Sequence, residues 1–351
     1  MHPLTRYEVL TGEEIAAVHH ASVALLEETG MEVLSERVRE LLSQRGAWVE
    51  RKRVRFPPRL VGWALDQAPE TFTLFRRTGE PAFTLGSGDT VVASGHNATF
   101  VLEGDGARRS ATAQDAADFA RLTDALPHLS MVGLQAVPQD VPPAANLLHA
   151  CRQAAANTTK PIYWSPDSVR LAAPAMDLLE LAAGFQQDRR PISICQLSST
   201  SPLLWESGAV EAVVEVSSRG LPLCFLPQPM AGLSGPITLA GTLTLHNAEV
   251  LSGVVISQLV RPGTPNVYGG AWTTFDMRRG TAVISRPEAA LMRIAGPSLR
   301  GTTTCPATAS APTPTPTRMT SSRAGRSSSP CWPPSKAEWI SWSTPGCSPP
   351  A

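Results

Sequence analysis

The chain has 351 residues, enough for one large α/β domain or two ordinary ones. Its 30 Lys and Arg balance its 30 Asp and Glu, so overall charge gives no draw towards nucleic acid or an anionic membrane. No apolar run approaches the roughly 20 residues of a spanning helix, and the start, "MHPLTRYEVLTGEE", lacks the basic-then-apolar order of a secretory signal, so cytoplasmic residence is expected.

"LTGEEIAAVHHASVALLEETG" opens a helix: Thr11 and Glu14 form a capping box, Ile15, Val18, Ser22, Leu25 and Leu26 recur at helical spacing, and Gly30 marks the stop. "SERVRELLSQRGAWVE" repeats the plan, with Val38, Leu41 and Leu42 inward and Gly46 ending it. "RVRFPPRLVGWALDQAP" reads as a short strand and then a helix begun by prolines. "FTLFRR", "PAFTLGSG" and "TVVASGHNATFVLEGDG" give short strands between glycine turns, closing an N-terminal helical and β region over 1–109.

From Ser110 the rhythm changes. A capped helix, "SATAQDAADFARLTDALPHL", leads into the apolar run "SMVGLQAVPQD". Helical patterns then alternate with the strand-like "KPIYWSPD", "PISICQLSSTSP", "LPLCFLPQPMAG" and "PNVYGGAWTTFDM". Strands separated by helices, each ending in polar or glycine-rich residues, predict parallel βα units. The first strand ends in "AVPQDVPP" without the glycine fingerprint of a nucleotide-binding sheet, which favours a (β/α)8 TIM-type barrel over a doubly wound sheet. About five βα units fit into 110–299, short of closure. Six scattered cysteines, without C-x-x-C spacing, predict neither a zinc site nor a disulfide framework, and no metal is expected.

Residues 300–351 are of another kind. They contain no Leu or Val, and Glu338 is their only acid. Such a Pro/Ser/Thr-rich stretch is either a genuine flexible arm or the product of a reading-frame slip. In the shifted frame each Thr derives from Tyr, His, Asn or Asp, and each Trp or Cys from Leu, Met or Val. "CPATASAPTPTPTRMT" then permits L-P-C-H-G-I-G-A-H-T-D-A-H-T-D-D, and the text beyond it regains a helix, a glycine turn and an apolar strand. In the frame translated here, the segment has too little apolar surface to offset an ordering entropy of about 1–2 kcal/mol per residue, and disorder is expected.

Several stretches together resemble the trimethylamine methyltransferase family. They are "LTGEEIAAVHHASVALLEETGMEV", "VRFPPRLVGWALDQAP", "GDGARRSATAQDAADFARLTDALPHL", "VPQDVPP", "NTTKPIYW", "GPITLAGTLTLHNAEVLSGVVISQLVRPGTPNVYGG", "FDM" and "SRPEAALMR", in that order between residues 4 and 299. The resemblance implies a barrel that passes a methyl group from an amine nitrogen to Co(I) of a corrinoid (cobalamin) on a separate protein. The enzyme itself would bind no cofactor. It also implies two kinds of member: those acting on trimethylamine, which carry pyrrolysine, and those without it, which act on quaternary amines such as glycine betaine. This chain has only standard residues, which favours the second kind. A slipped, incomplete barrel would be inactive; the alternative from another class is a non-catalytic binding module with a real flexible tail. Expected partners are a corrinoid protein and a small methylated amine, with no nucleic acid or membrane; homo-oligomerisation stays open.

A quaternary ammonium is already activated for in-line attack at its methyl carbon. It needs a desolvated cage of π faces and a carboxylate rather than a general acid. The aromatic candidates at predicted strand ends are Tyr163, Trp164, Tyr268, Trp272 and Phe275. Gln196 and Gln228 suit a substrate carboxylate or plain strand-end hydrogen bonding. Glu249 is a further candidate, or a buried structural hydrogen bonder. Gln135, Asp140, Asp276 and Asn247 complete the polar set, Asp140 reading most simply as a turn residue. His19, His20, His128, His149 and His246 have no metal spacing and read as solvated or core residues. No residue is singled out as catalytic.

Overall fold

The computed structural model describes residues 8–88, 90–104, 106–184, 190–302 and 340–341. Five short strands, Val132–Gly133, Ile162–Trp164, Ser193–Leu197, Leu223–Phe225 and Asn266–Tyr268, form one sheet in chain order with every pairing parallel. Helices Asn146–Asn157, Val169–Ala182, Ser207–Ser218 and Leu239–Val260 make the four crossovers, and Pro287–Ala295 follows the fifth strand. This is the βα succession of a TIM-type barrel, as the sequence predicts.

The residues before 110 are woven into it. Helix Gly12–Glu28 has the anticipated capping box of Thr11 and Glu14 and lies on Leu239–Val260, where Ser22 Oγ donates to the Thr244 carbonyl at 2.9 Å. Strand Met31–Val33 pairs parallel with Leu204–Trp205, in the loop after the third barrel strand. On its other side it pairs antiparallel with Arg53–Arg55, which pairs in turn with Trp48–Glu50. Gly30, at φ +70, makes the turn between helix and strand; a Cβ there would sit 2.2 Å from the Val54 carbonyl oxygen.

Residues 91–98 extend the barrel sheet beyond its first strand. Bridges Ala93↔Met131 and Ala98↔Ala136 are parallel, and the Ser130 and Asn97 amides donate to Val92 and Leu134 at 2.7 and 2.8 Å. Hairpin Phe72–Phe75/Pro81–Leu85 lies across the barrel floor: the Phe75 amide donates to the Pro191 carbonyl and the Arg77 amide to Thr159, just before the third and second strands begin. Leu74 and Leu85 close the interior from below, packed with Met131, Tyr163, Ile194, Cys224 and Val267.

Helix Leu239–Val260 needs a correction to the expected lack of spanning-length segments. Its 22 residues are long and apolar enough to cross a membrane, yet 78% of its most apolar window is buried inside the molecule. It is apolar all round because helices lie on one flank and the fourth and fifth strands on another. Among the described residues no other helix reaches that length and apolarity.

The disorder expected for 300–351 concerns residues outside those described, apart from the last turn of the 3₁₀ segment Gly296–Thr302 and the pair Ile340–Ser341, which runs parallel to Val91–Val92.

Candidate functional site

A cleft of about 470 Å³ opens at the C-terminal ends of the second, third and fourth barrel strands, where βα barrels place their chemistry. Ser165, Asp167, Gln196, Ser198, Ser199, Thr200, Ser201, Gln228, Met230 and Ser234 supply its polar and sulfur-bearing walls. Gln196 is buried at the end of the third strand. Tyr163, one strand over and wholly buried, donates its hydroxyl to Gln196 Oε1 at 2.8 Å, which leaves the amide N–H groups of Gln196 as donors. Burial holds the Tyr163 phenol well above its ordinary pKa, so it remains a donor. Ser199 Oγ is buried in the same wall without a hydrogen-bond partner. Asp167 and Gln228 stand exposed at the rim.

Two devices hold this rim. Ser198 Oγ donates to the Leu226 carbonyl at 2.6 Å, tying the third strand's loop to the fourth. Behind that loop, Glu249 of the long helix accepts from Ser201 Oγ at 2.7 Å and from the Leu203 amide at 2.9 Å. Burial raises its pKa to about 7, against the smaller lowering effect of those two bonds. Glu249 therefore anchors a loop one of whose residues, Ser201, lines the cleft; its carboxylate is not among the cleft walls.

The aromatic residues grouped by sequence are separated by the structure. Tyr163 faces the barrel interior, with the His96 ring edge-on to it at 5.2 Å. Trp164 and Tyr268 face the helical layer: Trp164 Nε1 donates to Ser193 Oγ at 3.3 Å, and Tyr268 bonds His246 and Asn247 of the long helix at 3.2 and 3.1 Å. The reason is strand geometry, since successive side chains point to opposite faces. Trp272 is wholly buried, its ring 4.4 Å from that of His246 and pressed against Gly270 and Gly296. Phe275 belongs to hairpin Thr273–Asp276/Thr281–Val283. The five rings thus form no common cage, and none of them lines the cleft.

The other polar candidates have local tasks. Gln135 donates to Thr123 Oγ1, and Asp140 accepts from the Ala113 amide at the start of helix Ala113–Ala125. Asp276 pairs with Arg286 at 2.7 Å and accepts turn amides. Sequence reasoning missed Asp167 and Ser199, although "YWSPD" and "QLSSTSP" place both just past strand ends. It also missed His96, in a glycine-flanked stretch that reads as a turn. Burial lowers the His96 pKa to about 4, so this imidazole is neutral near pH 7.

Comparison with known proteins adds the family. The family model for trimethylamine methyltransferase (MTTB) matches residues 1–315. The chain belongs to the trimethylamine methyltransferase family. It is 33% identical over 291 residues to a glycine betaine methyltransferase of Desulfitobacterium hafniense (strain Y51), covering 82% of this chain and 61% of that relative. It is 32% identical over 289 residues to the trimethylamine methyltransferase MttB of D. hafniense (strain DSM 10664 / DCB-2), covering 79% of this chain and 57% of that one. This member of the trimethylamine methyltransferase family thus spans about 60% of the length of the curated relatives it matches. Among solved structures, the monomethylamine methyltransferase of Methanosarcina barkeri superposes with a TM-score of 0.56 at 10% identity, over 87% of this chain and 62% of that one. That likeness is one of fold.

Proposed function

We propose that the cleft at the strand ends is the amine site of a methyltransferase that moves a methyl group from a quaternary or tertiary methylamine to a corrinoid held by a partner protein. The corrinoid would supply the Co(I) nucleophile. This chain's own residues bind and orient the amine. Asp167 at the rim offsets the positive nitrogen. The free N–H groups of Gln196 and the hydroxyl of Ser199 suit a carboxylate on the same molecule, and this favours a glycine betaine-like substrate over trimethylamine. The observation that carries the reading is Gln196 itself, buried at a strand end and oriented by Tyr163 with its donors unspent. A quaternary nitrogen leaves as a neutral amine, so the site needs no general acid, and the neutral Tyr163 and His96 fit that requirement.

The composition of residues 300–351 further supports a reading-frame slip that leaves this chain inactive, with the rest of the barrel encoded in the shifted frame. Reading the gene's DNA from the Pro297 codon onward tests this; absence of an open alternative frame rejects it. The site is tested on the frame-restored protein by titration calorimetry with glycine betaine and trimethylamine. Gln196→Ala is expected to weaken glycine betaine binding about ten- to a hundredfold, the effect of one or two hydrogen bonds to a charged group. Trimethylamine, lacking a carboxylate, should be affected little. Equal loss for both amines would reject the carboxylate role of Gln196, and no binding of either would reject the site.

A further inference from the structure

Arg293, on helix Pro287–Ala295, is only 4% exposed. Nη2 donates to the Trp272 carbonyl at 3.4 Å, while Nε and Nη1 meet no acceptor. Trp272 Nε1 and Asn247 Nδ2, both buried nearby, lack acceptors too. The group is contiguous: the His246 ring lies 4.4 Å from that of Trp272, and Tyr268 bonds both His246 and Asn247. The unspent hydrogen-bonding capacity of Arg293, Trp272 and Asn247 is all N–H donor, and the one orphan acceptor beside them, Nε2 of His246, belongs to a neutral ring and cannot balance the Arg293 charge. That donor capacity comes with a full positive charge that pairs with no carboxylate among the described residues. Burial of that charge, uncompensated, lowers the guanidinium pKa to about 10.

What these residues lack is an anionic acceptor, and their position says where it comes from. They sit behind the fifth strand, and among the described residues Asn266–Tyr268 pairs with Leu223–Phe225 on one edge and with no strand on the other. None of them lines the mouth cleft, which gives a free anion no described route to them. We infer that Arg293, with Trp272 and Asn247, is the receiving half of an ion pair. Its carboxylate is carried by the polypeptide that lays the next parallel strand against Asn266–Tyr268.

The test uses the full chain and a separately produced polypeptide, the part of the D. hafniense (strain Y51) glycine betaine methyltransferase that lies outside its matched region. In the isolated chain, Arg293→Met should raise the urea midpoint, because it removes an unpaired buried charge and keeps the length of the side chain. With the added polypeptide the sign reverses: wild type should bind it at least tenfold more tightly than Arg293→Met, and Arg293→Lys, which keeps the charge, should fall between them. A lowered midpoint for isolated Arg293→Met overturns the inference. So does equal binding by wild type and variant, or no binding by either. Stabilisation of wild type by acetate alone, matching that by the polypeptide, assigns the site to a free carboxylate and overturns it as well.

Discussion

Replacing Gly253 by alanine is expected to destabilise the protein, although alanine is the better helix former. In mid-helix the exchange favours folding by about 1 kcal/mol on propensity alone. Here a Cβ would lie 2.5 Å from Phe225 Cδ1, and Cε1 and Cγ are within 2.8 Å. The Phe225 ring has no room to withdraw. It packs edge-on against Trp205 at 6.3 Å, and Trp205 is fixed by its bond from Nε1 to Ser252 Oγ at 2.9 Å and by its pairing with Val33. Overpacking a held core costs about 1–3 kcal/mol, and this site belongs at the upper end. The net loss for Gly253→Ala should be about 2 kcal/mol, and for Gly253→Val about 3 kcal/mol or more, read from urea midpoints at constant m-value. Gly62 is the control. It lies within helix Pro58–Gln67 with nothing inside 4 Å of its missing Cβ, and Gly62→Ala should stabilise by about 1 kcal/mol. A stabilising Gly253→Ala would show that the long helix does not seat on the fourth strand through this residue.

Glu249→Gln is expected to stabilise the protein at alkaline pH and to change little at pH 5. Folded Glu249 keeps its proton to about pH 7, whereas its ordinary value is 4.5. Between those values the folded state binds the extra proton, so its stability falls as pH rises; above the window the deficit is complete, about 3 kcal/mol. Glutamine removes the titration and keeps the contacts, its oxygen accepting from the Leu203 amide and its N–H donating to Ser201 Oγ. The buried imidazoles of His96 and His246 pull the other way. Their pKa values of about 4 and about 3 lie below the ordinary 6.5, so their contribution rises with pH over that span. The readout is therefore the difference between variant and wild type: within about 1 kcal/mol at pH 5, and about 3 kcal/mol in favour of Glu249→Gln at pH 8. A pH-independent difference would mean that Glu249 is ionised throughout.

The arc of parallel strands was legible because each is a short apolar run bounded by turn residues and separated by a helical pattern. Which face each strand-end residue takes was not. Strands in a parallel barrel are buried on both sides, so Tyr163 and Trp164, or Val267 and Tyr268, are equally apolar neighbours with no polar alternation to orient them. The rings grouped from "YW" and "YGGAW" are divided between the barrel interior and the helical layer for that reason. Gln196 and Gln228 reach the cleft because a polar side chain at a buried strand end finds its water or its ligand at the mouth. The pairing of residues 91–98 with the first barrel strand was hidden differently. "ASGHNATF" carries turn residues throughout, and its extended path follows from bonds to residues some forty positions away rather than from local preference.

The floor hairpin has a kinetic consequence. With Leu74 and Leu85 packed across the base, the interior formed by the described residues is closed below, and its cleft opens at the C-terminal ends of the strands. A ligand held in that cleft should therefore enter and leave on the strand-end side, and a bulky group attached there should slow both steps.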